Sequence, residues 1–189
     1  MTLLILGLLV FLGVHSVSIV APAGRDRWAA ALGSGAWRGL YSLISLAGFV
    51  ALIYGYGLAR QAPVVLYVPP GWLRYVAFVL MLPVFPLLFA ANLPGRIQRT
   101  VKHPMITAVK AWALAHLLVN GTLADVLLFG GFLVWAVADR ISLKRRVPRP
   151  VRMAPPSPWN DSIAVIGGLL AYGLTVFWLH HLLIGVSLL

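Results

Sequence analysis

The chain has 189 residues, 61% of them hydrophobic and 10% charged, with a mean hydropathy of +0.93. Those values exclude a soluble globular domain and define an integral membrane protein. The formal charge of +11 does not point to nucleic acid, because the cations flank apolar runs, where membrane topology and anionic headgroups account for them.

An apolar run of about 20 residues crosses the hydrocarbon core as a helix. Six are expected, near Leu3–Ala21, Leu40–Leu58, Tyr75–Ala91, Pro104–Val119, Leu123–Ala138 and Ser162–Ser187. The fold class is therefore all-α, a polytopic membrane helical bundle forming a single domain over residues 1–189. The first run ends at Ala21-Pro22-Ala23, which resembles a signal-peptide cleavage site. Only Met1 and Thr2 precede the run and neither is basic, so it is read as a retained span. Trp28, Trp37, Trp72 and Trp159 fall beside span ends, where interfacial aromatic anchors belong. "GYGLAR", Gly55 to Arg60, lacks the third glycine of a dinucleotide-binding turn and closes an apolar helix, so it carries no cofactor reading.

The fourth and fifth runs are joined by Asn120-Gly121-Thr122 and read as a tight helical hairpin. Thr122 and Asp125 have the spacing of a capping box at the start of the fifth. Pro148 to Pro158 then holds five of the thirteen prolines, which predicts an extended connector with few hydrogen bonds. After it, Asn160 or Asp161 is expected to cap the last helix.

Charge sets the orientation. Arg25, Arg27 and Arg38 lie in the first loop, Arg96, Arg99 and Lys102 in the third, and Arg140, Lys144, Arg145, Arg146, Arg149 and Arg152 in the fifth. The other loops hold Arg60 and Arg74. This asymmetry places loops one, three and five in the cytoplasm and both termini on the non-cytoplasmic side. The absence of cysteine excludes disulfides, thiolate ligands and iron–sulfur ligation by this chain.

Ionisable groups inside apolar spans are costly and suggest a site. The five histidines, His15, His103, His116, His180 and His181, are the candidates. A neutral imidazole ligates haem iron without bringing a net charge into a low-dielectric bundle. His103 precedes Pro104, a good first helical residue, and reads as interfacial. Lys110 lies seven residues on, nearly on the same face, where its side chain can snorkel to the interface. His116 is about 140° around the helix from His103, so the two do not readily share one iron. Its face carries Val109, Trp112, Ala113 and Asn120, a mix that suits either a flat cofactor or helix packing. His15 stands alone in the first span with Leu8, Phe11, Leu12 and Ile19 near its face, while His180 and His181 fall near the outer interface. From the residues alone each histidine stays open between a ligand and a hydrogen-bonded packing residue.

"LGLLVFLGVHS", "WRGLYSLISLAGF", "LPGRIQRTVKHPM" and "WALAHLLVNGTLADVLLFGGFLVWAVADRISLKRR" resemble the NnrU family of bacterial membrane proteins, and the likeness runs on to the final "HHLLIGVS". The resemblance implies a multi-pass protein of the bacterial inner membrane associated with nitrite and nitric oxide metabolism. The "HS" and "AH" regions are also similar to the plant 15-cis-zeta-carotene isomerases, haem b membrane enzymes. That likeness implies that His15 and His116 bind haem iron. Ala113 stands where the isomerase pattern implies a cysteine, so a cysteine-based exchange of iron ligands is not expected here.

Three classes of function remain open at this stage. The first is a haem b protein with redox or isomerase chemistry on an apolar, lipid-soluble substrate. The second is an accessory or electron-transfer protein of nitrogen-oxide respiration that meets a redox donor. The third is a non-haem transporter or lipid-modifying enzyme; "KHP" is faintly similar to the "RHP" of isoprenylcysteine methyltransferases, although the chain contains no glutamate. The bilayer is a partner in all three.

Overall fold

The computed structural model describes every residue except Pro148, Pro150, Arg152 and Leu189. Among the described residues it is all-helical, with one isolated antiparallel bridge between Val65 and Thr122. In chain order the helices are α1 (Thr2–Val20), α2 (Pro22–Leu32), α3 (Ser34–Ala59), α4 (Leu73–Met81), α5 (Val84–Ala90), α6 (Arg96–Val101), α7 (Pro104–Leu117), α8 (Leu123–Ser142) and α9 (Asn160–Leu174). A π-helical turn over Thr175–Leu179 follows, then α10 (His180–Ile184).

Four stretches are long and apolar enough to cross a membrane: Thr2–Val20, Ser34–Ala59, Leu73–Ala90 and Asn160–Ile184. They answer to the first, second, third and sixth expected spans. The fourth and fifth expectations are met by helices of a different kind. α7 has 14 residues, about 21 Å at the helical rise, short of the roughly 30 Å of hydrocarbon. α8 has 20 residues but carries Asp125, Asp139 and Arg140.

The chain divides into two compact units, each built from two separate stretches: Met1–Pro69 with Asn120–Pro148, and Pro70–Val119 with Arg149–Leu189. The helices of the expected hairpin, α7 and α8, thus belong to different units.

In the first unit, α1 and α3 run antiparallel at close range. Gly7 lies against the backbone of Leu52, Gly48 against that of Phe11 and Gly55 against that of Leu4. A Cβ at Gly48 would meet the Phe11 nitrogen at 2.8 Å, so glycine at these crossings lets two backbones touch, the usual way apolar helices associate in lipid. α8 packs against α1 and also meets α3. Its start is clamped to the segment after α3. Gly121 accepts hydrogen bonds at its carbonyl from Leu66 (2.8 Å) and Tyr67 (3.1 Å), Leu123 donates to Val64, and the Tyr67 hydroxyl donates to the Asn120 carbonyl. Partial burial, with a smaller push from Asp125, raises the Tyr67 phenol above its ordinary range. The expected capping box is present. Thr122 accepts from the Asp125 amide, and the Asp125 carboxylate accepts from the Thr122 amide and hydroxyl. Tyr56 of α3 also donates to that carboxylate at 2.6 Å.

In the second unit, two prolines break the third apolar run. Pro83 and Pro86 have no amide to donate, and the helix is interrupted between α4 and α5 at Leu82 and Pro83. α5 packs on α9, where Gly168 meets the backbone of Pro86, and on α7, where Val84, Leu87 and Ala108 form a buried cluster. Tyr172 of α9 donates to the Phe78 carbonyl of α4 at 3.1 Å.

Several sequence expectations need correction. Neither Asn160 nor Asp161 caps α9, whose first turn has no side-chain cap. Asp161 instead accepts from the Arg96 and Ile97 amides at 2.8 and 3.0 Å, capping α6 from another helix. Gly95 is required there because a Cβ would run into the Asp161 carboxylate. Asn160 donates to the carbonyls of Pro94 and Pro155. The proline-rich connector, by contrast, has no helix or strand in its described residues up to Ser157, as expected, and Ala154 donates to Asn92 at 2.9 Å; Pro148, Pro150 and Arg152 of that connector lie outside the described residues. Trp28, Trp72 and Trp159 are exposed, whereas Trp37 is buried beneath the Arg25 guanidinium. The first basic loop contains α2, opened by Pro22 at its first helical position.

Candidate functional site: two helix-held imidazoles

His15 is half-buried on α1. Its Nδ1 lies 2.7 Å from the carbonyl of Phe11, one turn back. A carbonyl can only accept, so Nδ1 donates, and the tautomer that does so in a neutral ring has its lone pair on Nε2. Rings from three helices surround this imidazole: Phe11 of α1 at 4.3 Å between centroids, Tyr41 of α3 at 5.3 Å and Trp135 of α8 at 6.1 Å, the last two edge-on. Phe49 and Phe132 extend the aromatic wall through Phe11. An open groove of about 310 Å³ runs past His15, bordered by Phe11, Tyr41, Ser42, Ser45, Leu46 and Phe49. Leu46 also borders a second, apolar groove along α1 and α3 that reaches Tyr54.

Polar atoms near this groove are incompletely paired. The Ser45 hydroxyl and the Trp135 indole nitrogen are buried with no hydrogen-bond partner among the described residues. Such groups normally find partners, and leaving one buried and unpaired costs about 1 to 3 kcal/mol. One turn beyond Trp135, Asp139 pairs with Arg146 at 2.9 Å, both side chains largely buried. Arg25 and Asp139 both act electrostatically on the Tyr41 hydroxyl. This end of the first unit is thus basic and aromatic.

His116 belongs to the second unit, on α7. It repeats the local arrangement: its Nδ1 lies 2.8 Å from the carbonyl of Trp112, again one turn back, with the two rings 5.3 Å apart. Ala113 and Ala115 beside it are fully buried, so this part of α7 packs closely. Trp112 contacts the Val84, Leu87 and Ala108 cluster, and Lys110 is half-buried on the same helix.

The remaining sequence candidates fall elsewhere. His103 is the residue before α7, and Pro104 opens the helix at its first position. The turn before it is strained: Lys102 has φ +64°, and His103 donates to the Val101 carbonyl at 2.7 Å, closing a three-residue turn. Asn120 supplies its carbonyl to Tyr67 in the first unit. His180 binds the Val186 carbonyl through Nδ1, and His181 is exposed. Sequence reasoning did not single out Tyr41, Ser45, Trp135, Asp139 or Arg146. The available signal was Trp135 and Asp139 at helical spacing in an otherwise apolar run.

The molecule is therefore an all-helical protein of membrane type that presents two imidazoles, each oriented by its own helix among aromatic rings. The NnrU protein family matches residues 3–188, and the chain belongs to that family. No curated protein and no solved structure matches it.

Proposed function

We propose that this NnrU-family protein binds haem b through His15 and His116 and carries out redox or isomerase chemistry on an apolar substrate that enters from lipid. The observation that supports it best is shared by the two sites. Each Nδ1 is tied to the carbonyl of the aromatic residue one turn back, which aims the Nε2 lone pair for an iron bond and supplies the outer hydrogen bond that ligating histidines use. The first unit suits a porphyrin edge further, with aromatic faces on three helices and unpaired Ser45 and Trp135 donors.

Bound haem supplies an iron that exchanges electrons and whose potential is set by its ligands and their surroundings. The chain's own part is to hold the imidazole tautomers, exclude water with Phe11, Phe49 and Phe132, and admit apolar molecules along α3. On this reading the protein is multi-pass in the bacterial inner membrane, with α7 and α8 completing six spans and the basic loops in the cytoplasm, consistent with the charge asymmetry.

The test is the oxidised and reduced visible spectrum of the purified protein beside His15→Ala and His116→Ala. Sharp reduced bands of haem b, lost or weakened in both variants, are expected. A colourless protein after haem-supplemented expression would sink the reading and leave a non-haem transporter or scaffold.

A further inference from the structure

Beside the His15 groove, where Trp135 of α8 meets the imidazole, the chain holds more donor capacity than the fold uses. Arg146 follows α8 and turns back, its amide bonded to the Ser142 carbonyl at 2.9 Å. Its Nη2 pairs with Asp139 at 2.9 Å. Its Nη1 is buried with no hydrogen-bond partner among the described residues, and so is the indole nitrogen of Trp135, one turn before Asp139 on α8. A guanidinium that meets a carboxylate through Nη2 leaves the hydrogens of its buried Nη1 without an acceptor.

Both atoms only donate, so the missing partner is an acceptor, and at a guanidinium an anionic one fits best. What lies beyond them is apolar. Trp135 meets the His15 ring edge-on, His15 borders the groove, and Leu46 carries that groove into a second one lined by leucine, valine and alanine. Asp139 already offsets the single charge of Arg146, and the further cation at this end is Arg25, which lies over Trp37 beside Tyr41.

We infer that Arg146 and Trp135 form the acid-binding end of the His15 groove and take the carboxylate of a ligand whose body is apolar. Resting on the haem reading above, that carboxylate is a haem propionate. Arg146 binds it through Nη1 while Asp139 holds the guanidinium at Nη2, and Trp135 donates from the side. Asp139 is then a positioning residue for Arg146.

The test compares binding of haem with that of its dimethyl ester, which has the same ring and iron but no acid. Wild type, Arg146→Gln and Trp135→Phe are titrated by absorbance, and folding is checked by helical circular dichroism. Wild type should prefer the free acid by about tenfold or more, the scale of a charge-assisted hydrogen bond. Arg146→Gln should bind acid and ester alike, and Trp135→Phe should keep part of the preference. Equal binding of acid and ester by wild type would overturn the assignment while leaving haem ligation intact. A parallel titration with cis-parinaric acid and its methyl ester separates the two readings if haem does not bind. Preference for that acid, lost in Arg146→Gln, then keeps the acid site and discards haem. No preference for either acid discards the acid site. If Arg146→Gln does not fold, the acid-to-ester ratios of wild type and Trp135→Phe decide the matter.

Discussion

Phe11-Leu12-Gly13-Val14-His15 and Trp112-Ala113-Leu114-Ala115-His116 are the same local device in two units of the molecule. An aromatic residue one turn back lends its carbonyl to Nδ1 and its ring to the imidazole. The surroundings differ. Rings from α1, α3 and α8 meet His15 beside an open groove, while Trp112, next to His116, joins the close-packed cluster of Val84, Leu87 and Ala108. Orientation of an imidazole is thus local and readable from five residues, but the room for a ligand is a property of packing between helices.

The sharpest break in this comparison is made at the two histidines. If the groove supplies most of the hold on haem, His15→Ala should lose nearly all of it, while His116→Ala should retain a fraction with altered spectrum. Haem content per protein by pyridine haemochrome reads the difference. Equal losses would mean that the groove adds little beyond its one nitrogen.

The next largest effect concerns how each unit is closed. Gly55 and Gly168 occupy equivalent roles, each pressed against a backbone, that of Leu4 and that of Pro86. Replacing either by leucine must separate two helices, at a cost of about 3 kcal/mol, the upper range for overpacking. Gly57 and Gly173, with open space around a Cβ, should accept alanine with little change. Unfolding of the detergent-solubilised variants on titration with dodecyl sulfate measures both.

A smaller contrast lies in the two carboxylate clamps. Asp125 is buried and takes hydrogen bonds from Tyr56 and from the amide and hydroxyl of Thr122. Asp125→Ala strands these donors, so a loss of about 2 to 3 kcal/mol is expected. Asp161 caps only the six-residue α6, through the Arg96 and Ile97 amides. Asp161→Ala should leave the global unfolding midpoint nearly unmoved while those two amides exchange hydrogen faster. A large global shift would show that α6 supports the second unit as a whole.

Hydrophobic run length was enough to locate α1, α3 and the last helix, because lipid leaves a helix no alternative means of satisfying its backbone. Thr122 and Asp125 were legible for a similar reason, since a capping box is complete within four residues. What escaped the sequence was made by partners far along the chain. Asp161 has the look of a local cap, yet finds its donors 65 residues away at Arg96. Trp37 has the look of an interfacial anchor, yet lies beneath Arg25. The His15 groove was legible only at His15 and Phe11, because Tyr41 and Ser45 join it through the antiparallel register of α1 with α3 and Trp135 meets the imidazole through the packing of α8.

The weakest contact worth breaking is that of Tyr67, whose hydroxyl donates to the Asn120 carbonyl from an exposed position. Its phenol is raised on folding, chiefly by partial burial and then by Asp125. A group raised on folding gives its full stability below its unfolded value, about 10 for tyrosine, and loses it as pH climbs through the folded value. Tyr67→Phe should therefore cost about 0.5 to 1 kcal/mol at neutral pH, one modest hydrogen bond. The gap between wild type and variant should stay level up to about pH 10 and narrow above it. A gap already narrowing at pH 8 would mean that a different group, and not this phenol, ties Val64–Tyr67 to the start of α8.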